Sequence, residues 1–346
     1  MRYLLTGGTG FIGTALCRSF AAGGAVLTVL TREPARAAAS LPPGTRCIRR
    51  LGELGVGEEF DAVINLAGEP IASGRWTPAR KRLLAASRIE LTRELVDWME
   101  RSASRPGVLI SASAIGFYGD QGDLAVTEDS APHDEYQHQL CRDWEQAALR
   151  AQAIGVRTAV LRIGLVVGAG GGFLQRMLPP FRLGLGGPVG SGRQWMSWVH
   201  RDDVLGIIEL LLARGDLAGV FNVTAPAPVT SKDFAHALGR ALRRPAVMPL
   251  PAGVLRLAFG EMARLLLTGQ RVLPARLQAA GYAFRFPDID GALREALWGL
   301  ANALSGCRTP PSFCRVRAPA LDPRESSARG RPFRASSPRC GRFPGG

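Results

Sequence analysis

The stretch Met1-Arg-Tyr-Leu-Leu-Thr-Gly-Gly-Thr-Gly-Phe-Ile-Gly13 decides the fold of this 346-residue chain. A short apolar strand runs directly into a glycine cluster, and a segment with helical spacing follows up to Ala22. The cluster can be read as Gly7-x-x-Gly10-x-x-Gly13, or with Gly8 as its first glycine. Such glycines form a tight turn, admit a pyrophosphate and let the helix pack on the strand. Because the helix N-terminus also attracts phosphate, the stretch predicts a dinucleotide site.

Apolar runs alternate with helical patterns over the first 215 residues. We predict strands at Arg2–Leu5, Val26–Leu30, Ala62–Leu66, Val108–Ser111 and Arg157–Ile163. Helices are predicted at Gly13–Ala22, Pro78–Arg101 and Glu135–Ala153. This alternation predicts an α/β fold, a Rossmann-type doubly wound parallel sheet with helices on both faces. Its ligand crevice would lie at the carboxyl ends of the strands.

The rest of the chain divides by composition. We predict a nucleotide-binding domain over residues 1–220, with glycine-rich substrate loops within about 168–200. Residues 245–297 read as a small, largely helical C-terminal domain, with a candidate strand at Gly281–Pro287. Residues 298–346 are rich in Arg, Pro and Ser, and this composition is typical of disorder.

Charge and cysteine usage limit the function classes. The net charge is +14, but residues 301–346 alone hold nine arginines and two acidic residues. We therefore expect no nucleic-acid partner, with an Arg-rich arm touching a polyanion as the alternative. Six scattered cysteines lack disulfide or metal spacing, which favours a cytoplasmic protein. No apolar run reaches the roughly 18–20 residues of a membrane span, so we expect no membrane partner.

The residues after the second predicted strand bear on the choice of dinucleotide. An acidic side chain there favours NAD, whereas an arginine accommodates the 2′-phosphate of NADP. The chain has Thr31-Arg32-Glu33 at this place. Arg32 can pair with a phosphate and Thr31 can donate to it, so NADP is predicted. Glu33 keeps NAD open as the alternative.

At this point the chain resembles a known family. Several strings are similar to extended short-chain dehydrogenases/reductases of the NAD-dependent epimerase/dehydratase type, and to its uncharacterised "epimerase family" of NADP-dependent oxidoreductases. The strings are Gly7–Gly13, Asn65-Leu-Ala-Gly-Glu-Pro-Ile71, Ser87-Arg-Ile-Glu-Leu-Thr92, Ser111-Ala-Ser113, Tyr118-Gly-Asp120, Gly184-Leu-Gly-Gly-Pro-Val-Gly-Ser-Gly-Arg-Gln-Trp195 and Gly269-Gln-Arg-Val-Leu-Pro274. The resemblance covers about residues 1–297 and includes that branch's short C-terminal domain of unknown function.

The resemblance implies a set of cofactor contacts. They lie in the glycine loop, after the second and third long strands, and on the long helix. The residues are Thr6, Gly7, Gly8, Thr9, Gly10, Phe11, Ile12, Gly13, Thr31, Arg32, Leu66, Ala67, Gly68 and Arg88.

The acid/base pair of this superfamily is missing. Its members use a Tyr and a Lys four residues later, on one helix face, so that the ammonium lowers the phenol pKa. This chain has only Lys81 and Lys232, and no Tyr-x-x-x-Lys. The lysine site falls at Leu140 or Cys141, depending on the alignment.

Other groups are candidates for catalysis. Ser113 matches the superfamily's catalytic Ser. Tyr118 is a candidate substitute acid/base, and Glu69 follows the cofactor strand at its carboxyl end. The remaining candidates, by proximity alone, are Tyr136, His138 and Cys141.

The loop Gly190–His200 has the chemistry of a substrate-binding segment. Arg193 and Gln194 would anchor polar groups, and Trp198, with Trp195, would offer a flat face for stacking. His200 stands near Asp203, but the four histidines of the chain have no ligand spacing, so no metal is predicted. Asp203 is expected to cap a helix from Val204.

We therefore predict an NADP-dependent oxidoreductase or epimerase that acts on a small polar substrate, a nucleotide sugar being one candidate. The alternative is a catalytically silent NADP(H) sensor or scaffold. By analogy with the superfamily, a homodimer is expected.

Overall fold

The computed structural model describes residues 1–55 and 57–305. Its strands are β1 (Arg2–Thr6), β2 (Val26–Leu30), β3 (Arg46–Ile48), β4 (Ala62–Asn65), β5 (Val108–Ala114), β6 (Ala125–Val126), β7 (Arg157–Ile163), β8 (Leu165–Val167), β9 (Trp195–Met196), β10 (Trp198–His200), β11 (Gly219–Val223), β12 (Val229–Thr230) and β13 (Arg271–Val272). Its α-helices are α1 (Phe11–Ala22), α2 (Pro34–Ser40), α3 (Pro78–Ala85), α4 (Leu91–Arg101), α5 (Tyr136–Leu149), α6 (Gly172–Arg182), α7 (Arg201–Ala213), α8 (Ser231–Leu242), α9 (Ala252–Phe259), α10 (Arg264–Leu267), α11 (Ala275–Ala279) and α12 (Ile289–Ser305). Helix α12 runs past the predicted boundary at 297, and the remainder of the predicted tail lies outside the described residues.

The main sheet has the order β11-β7-β5-β4-β1-β2-β3 in the described part of the chain, and all its strands are parallel. The chain order reverses between β1 and β4, since β2 and β3 lie on one side of β1 and the later strands on the other. Open α/β sheets bind ligands at such a switch point, beyond the carboxyl ends of the strands. The predicted Rossmann-type fold is confirmed.

Both faces of the sheet are covered, as its nearly continuous apolar strands predict. Leu5 and Ile64 point to one face and pack with residues of α1 and α7. Leu4 and Val63 point to the opposite face and pack with residues of α4 and α5. Two-stranded pairs, β8 with β10, β9 with β12 and β6 with β13, lie outside this sheet.

Two local predictions were wrong, and one contact explains both. Gly281–Pro287 forms no regular strand, because the backbone N–H groups of Arg285 and Phe286 donate to the Asp203 carboxylate at 2.8 and 3.1 Å. Asp203 is therefore not the N-cap of a helix. Helix α7 begins earlier, at Arg201, with His200 as its N-cap. A fully buried carboxylate that accepts two backbone bonds fastens the C-terminal segment to α7.

The helix predicted from Pro78 to Arg101 is interrupted. Between α3 and α4 a π-helical turn covers Ala86–Glu90 and carries Arg88. Such turns insert an extra residue into a helix and are frequent at functional sites. Here the turn lies opposite the loop that follows β4, because Arg88 Nη2 donates to the Glu69 carbonyl oxygen at 2.8 Å.

Candidate functional site

The glycine loop between β1 and α1 leaves no room for side chains at two positions. Gly7 has φ +68°, and a Cβ there would lie 2.6 Å from the carbonyl carbon of Leu66. A Cβ on Gly13 would lie 2.2 Å from the Gly7 carbonyl oxygen. Gly7 thus forms the turn beside β4, and Gly13 lets α1 pack against the backbone of that turn. Gly10 is exposed and is the N-cap of α1, which no described side chain caps, so its first N–H groups can receive a phosphate.

A buried polar network joins the ends of three neighbouring strands. The Thr6 hydroxyl donates to Asn65 Oδ1 at 2.6 Å and accepts from the backbone N–H of Ala67 at 3.2 Å. Asn65 Nδ2 donates to Thr92 at 2.8 Å and to Ser111 at 3.1 Å. Thr6 is 1% exposed, so its side chain holds the β4 loop in place rather than facing a ligand.

Beyond β2 and β4, arginines surround Glu69. Arg32, whose side chain is 87% exposed, reaches Glu69 Oε1 with Nη1 at 2.5 Å. Arg80 lies 3.5 Å from the other carboxylate oxygen, and its buried Nε has no hydrogen-bond partner among the described residues. Two guanidinium groups, one exposed and one with a spare donor, fit a phosphate group.

The Glu69 side chain therefore does not point toward Ser113, as its predicted catalytic role would require. It follows β4 but reaches across β1 to the residue after β2, whereas Ser113 lies on β5, on the opposite side of β4. The structure does not bring Glu69 and Ser113 together. An acid/base role beside Ser113 is thus unsupported. Glu69 instead lies between Arg32 and Arg80, and we call these three residues the arginine cluster.

Arg88 lies between the arginine cluster and helix α5. Its guanidinium donates to backbone oxygens of Glu69 and Leu84, at 2.8 and 3.3 Å, and lies 5.4 Å from the centroid of the Trp144 ring. Burial lowers the pKa of Arg88 from its ordinary value, although the group stays a cation at neutral pH. A Cβ on Gly68 would lie 3.0 Å from this guanidinium, so Gly68 makes room for the arginine.

Ser113 is part of a buried charged cluster. Its hydroxyl donates to Glu145 Oε1 at 2.6 Å. Arg162, on β7, donates to both oxygens of the same carboxylate, at 2.9 and 2.8 Å. All three residues are at most 5% exposed. Because Ser113 donates its proton to Glu145, its oxygen lone pairs are left to accept a bond from a substrate hydroxyl.

Tyr118 does not lie where its predicted role as a substitute acid/base would require it, at the surface of the site. It is 0% exposed, and its hydroxyl donates to Asn222 at 2.6 Å and accepts from Arg162 at 2.9 Å. Burial raises the pKa of Tyr118, and the Arg162 charge offsets this only in part. A phenol held on both sides in the interior cannot touch a substrate, so Tyr118 supports Arg162 instead.

The structure decides between the two alignments of the missing lysine. Leu140 packs in an apolar cluster, whereas the thiol of Cys141 lies beside Ser113 and Ala114. Cys141 therefore occupies the lysine position, and Gln137, four residues earlier and buried, occupies that of the tyrosine. Burial raises the pKa of the Cys141 thiol to about 12, so the thiol stays protonated at neutral pH. It cannot serve as the missing base.

Two residues flank these positions on α5. Tyr136 lies against Trp76 and under Lys81, whose Nζ is 4.4 Å from the ring centroid. Burial raises the pKa of Tyr136, so the nearby ammonium does not make it a base. His138 Nδ1 bonds to the Phe117 carbonyl oxygen at 2.7 Å. Neither residue contacts Ser113.

The predicted substrate loop is divided between surface and core. Arg193 is exposed. Gln194 donates to the carbonyl oxygens of Val189 and Leu266, at 2.9 and 2.8 Å, and so ties loops together. Trp198 is 0% exposed and packs in a core cluster, so the prediction that it stacks on a substrate was wrong.

His200 binds a carboxylate rather than a metal. The Asp202 backbone N–H donates to its Nδ1, so the proton resides on Nε2, which donates to Glu295 at 2.8 Å. Within the described residues no group of three His, Cys, Asp or Glu side chains could hold a metal ion. Burial raises the pKa of Glu295, but the hydrogen bond from His200 and the nearby charges of Arg201 and Arg285 outweigh this and hold that pKa below its ordinary value.

This lowered pKa predicts a pH-dependent contribution to stability. A carboxyl group whose pKa is depressed by folding stabilises the protein above its unfolded pKa, about 4.3, and loses that effect as pH falls through the folded value. We expect Glu295→Gln to lower the melting temperature by about 2 °C at pH 7. Melting curves from pH 7 to pH 3 should converge at acid pH. A difference that persists at pH 3 would contradict this origin.

Sequence reasoning missed Glu145 and Arg162. Both could have been noticed in the sequence. Arg162 lies within a mostly apolar buried strand, and Glu145 lies one helical turn after Cys141. A charge inside a buried strand needs a partner. The partner could not be named from the sequence, because the pair forms only when α5 packs against β7.

Comparisons with known proteins agree with this geometry. The model of the NAD dependent epimerase/dehydratase family matches residues 3–224. The chain belongs to this family. A domain of unknown function, DUF1731, matches residues 250–296. The predicted resemblance is confirmed.

Relatives named as epimerase family proteins match over most of the chain. The chloroplastic SDR39U1 homolog of Arabidopsis thaliana is 39% identical over 303 residues, which cover 86% of this chain and 87% of that protein. The human SDR39U1 protein is 38% identical over 299 residues, covering 85% and 99%. Protein MT2273 of Mycobacterium tuberculosis is 40% identical over 298 residues, covering 84% and 96%.

Solved structures show the same architecture. The crystal structure of the human SDR39U1 protein with NADPH has a TM-score of 0.80 at 38% identity, covering 87% of this chain and 100% of that one. MoeE5 with UDP-glucose and NAD has a TM-score of 0.70 at 20% identity, covering 88% and 100%, and shares the fold. In the described part of the chain, no helix is long and apolar enough to cross a membrane.

Proposed function

We propose that this family member binds NADPH at the carboxyl ends of β1, β2 and β4 and acts as an NADP-dependent oxidoreductase or epimerase on a small polar substrate. The observation that carries this proposal is the arginine cluster beside the glycine loop. Arg32 presents an exposed guanidinium after β2, where a 2′-phosphate is read in such folds. The relative solved with NADPH supports the same cofactor.

The cofactor would lie along the edge of the sheet. The N–H groups that open α1 would receive its pyrophosphate, and Leu66 to Gly68 would pass the adenosine as backbone. Thr31 and Arg32 would hold the 2′-phosphate, and Arg88 would reach the pyrophosphate or a ribose. When bound, NADP supplies a nicotinamide that accepts or donates a hydride. The domain bounds 1–220 and 245–297 are part of the same proposal.

Ser113 would position the substrate oxygen. Glu145 fixes the Ser113 rotamer and Arg162 holds Glu145 in place, so the serine oxygen would accept a hydrogen bond from a substrate hydroxyl. Glu145 and Arg162 are positioning residues, since neither would touch the substrate. Arg193 is the exposed cation of the predicted substrate loop and would meet an anionic group.

The test is a fluorescence titration of the full-length protein with NADPH and with NADH. We expect NADPH to bind at least about tenfold more tightly, a difference of about 1.4 kcal/mol. Equal affinities would contradict the role of Arg32. Failure of both cofactors to bind would overturn the proposed function.

Ser113→Ala separates binding from turnover. Removing the hydroxyl leaves Glu145 bound twice by Arg162, so we expect NADPH affinity within about threefold of wild type. Alcohol-dependent reduction of NADP+, followed by absorbance over a panel of nucleotide sugars and alcohols, should fall at least about 100-fold, because the substrate hydroxyl loses its acceptor. Ser19→Ala, at a half-buried serine on α1 whose hydroxyl donates to Glu209, is the control. Unchanged turnover in Ser113→Ala would remove Ser113 from the mechanism.

A silent NADP(H) sensor is the second candidate. The observation that favours it is the pair Gln137 and Cys141, an amide and a protonated thiol where the family has its acid/base pair. A sensor would bind NADPH and NADP+ with different affinities and turn over no substrate of the panel. The same titration with NADP+, beside the turnover assay, distinguishes the two functions.

A further inference from the structure

Large apolar side chains are concentrated on two neighbouring loops. Leu183 and Leu185 follow helix α6, and Val247, Met248 and Leu250 precede helix α9. These five side chains, which we call the loop patch, are 42 to 74% exposed. Helix α9 continues directly with two more exposed residues, Val254 and Leu257. Exposed apolar groups that cluster in this way mark interaction sites.

The two loops hold each other rigidly. The Met248 N–H donates to the Gly186 carbonyl oxygen at 3.1 Å, and the Leu250 N–H donates to that of Pro188 at 2.9 Å. A Cβ on Gly187 would lie 2.1 Å from the Met248 carbonyl oxygen, so the glycine permits this close approach. The backbone that carries the loop patch is therefore held in place by hydrogen bonds between the two loops.

The two chain segments that carry and flank the loop patch contain cations but no acidic residue. No Asp or Glu occurs in residues 171–201 or in residues 234–260. The arginines of the two segments are Arg176, Arg182, Arg193, Arg201, Arg240, Arg243, Arg244 and Arg256. Of these, Arg240 pairs with Asp290, while Arg182, Arg243 and Arg244 are exposed and form no ion pair with a described residue.

A shallow depression of about 430 Å³, open to solvent, lies at the edge of the patch. His236, Arg240, Arg243, Arg244 and Ala246 line it, and Ala246 is bonded directly to Val247. Arg243 adopts φ +54°, a left-handed conformation that ends α8 and is uncommon for arginine. This geometry groups cations around a space of the size of a phosphate-bearing headgroup.

The charge of the surface restricts its occupant. A second copy of this chain, paired about a twofold axis, would set arginine against arginine. Residues 307–346 carry nine arginines and two acidic residues, so that segment is also a poor electrostatic match. Nucleic acid is recognised through phosphate contacts and aromatic stacking, and this patch is aliphatic. The occupant must be both apolar and anionic.

We propose that the loop patch docks on the surface of an anionic lipid bilayer. Leu, Val and Met side chains would enter the acyl boundary, while the surrounding arginines contact lipid phosphates. Protein interfaces concentrate their binding energy in Trp, Tyr and Arg, and the patch has arginines around it but no Trp or Tyr within it. The lack of a spanning segment predicted no membrane partner, but a protein that lies on the surface of a bilayer needs no such segment.

The test is co-sedimentation of the full-length protein with vesicles. We expect binding to vesicles of phosphatidylcholine mixed with phosphatidylglycerol, little binding to phosphatidylcholine alone, and weaker binding as salt is raised. The triple variant Leu183→Ser, Val247→Ser, Met248→Ser should weaken binding at least about tenfold. Arg243→Asn with Arg244→Ser should weaken it as well, asparagine being compatible with the left-handed backbone. Leu124→Ser, at a remote exposed leucine, is the matched control.

Each alternative outcome overturns the proposal. Absence of wild-type binding does so, as does binding that both patch variants retain, because the lipid contact would then lie elsewhere. Binding of polyglutamate, lost in the same variants without any vesicle binding, would assign the patch to an acidic protein. Circular dichroism and NADPH titration of the triple variant establish that a loss is not due to unfolding.

Discussion

Arg32→Asp is expected to weaken NADPH binding about 100-fold while leaving NADH binding within about threefold of wild type. The loss corresponds to about 2.7 kcal/mol, the size of a charged hydrogen bond to a phosphate. Arg32 is exposed on β2's carboxyl end, so its replacement disturbs no core. The measurement is the fluorescence titration of both cofactors against the variant.

Arg36→Asp is the matched control for this change. Arg36 is equally exposed, lies one helical turn further along the chain and pairs only with Glu33 among the described residues. We expect it to leave both affinities unchanged. If the two variants lose NADPH affinity equally, the effect is one of net charge and not of a 2′-phosphate contact.

Arg162→Leu should destabilise the protein by about 3–5 kcal/mol, because it leaves the Glu145 carboxylate buried without its partner. Both side chains are 5% exposed, and Arg162 also holds Tyr118. The melting temperature should fall by on the order of 10 °C. Differential scanning calorimetry of the variant measures this directly.

The double variant Arg162→Leu with Glu145→Leu tests the cause. Removing both charges should recover much of the loss, since no uncompensated charge remains. Arg150→Leu provides a surface control, as its pair with Asp97 is half exposed and should contribute less than about 1 kcal/mol. A double variant no more stable than Arg162→Leu would show that the aliphatic packing of the arginine, and not the pair, holds this region together.

Local patterns were sufficient for most of the fold. The bounds of β2 and β7 agree with their predictions, because each is a mainly apolar segment between polar turns, although β2 contains Thr28 and β7 contains Thr158 and Arg162. Strands β3 and β11 were not predicted, since one has only three residues and the other contains Gly219 and Asn222. The glycine loop could be predicted because the residues that form the turn, admit a phosphate to the backbone and let the helix pack all lie within residues 7–13.

The candidate site depends on contacts that the sequence does not encode locally. Glu69 meets Arg32 across an intervening strand, 37 residues apart. Glu145 meets Arg162 only because α5 lies over β7. In both cases an isolated charge was visible, but its partner depends on the three-dimensional arrangement of the sheet.

In the cofactor site proposed above, a ligand phosphate would take the place of the Glu69 carboxylate beside Arg32. A bare guanidinium attracts a solution anion, and a ligand phosphate must displace it, so affinity then falls steeply with ionic strength. Glu69 is instead a counterion attached to the protein, so its amount beside Arg32 does not vary with the salt concentration, although salt screens this exposed pair. Sulfate and inorganic phosphate gain little there, because they must compete with a tethered carboxylate without the rest of a dinucleotide to help them. The proposed site would therefore discriminate by the length of its ligand as well as by its charge.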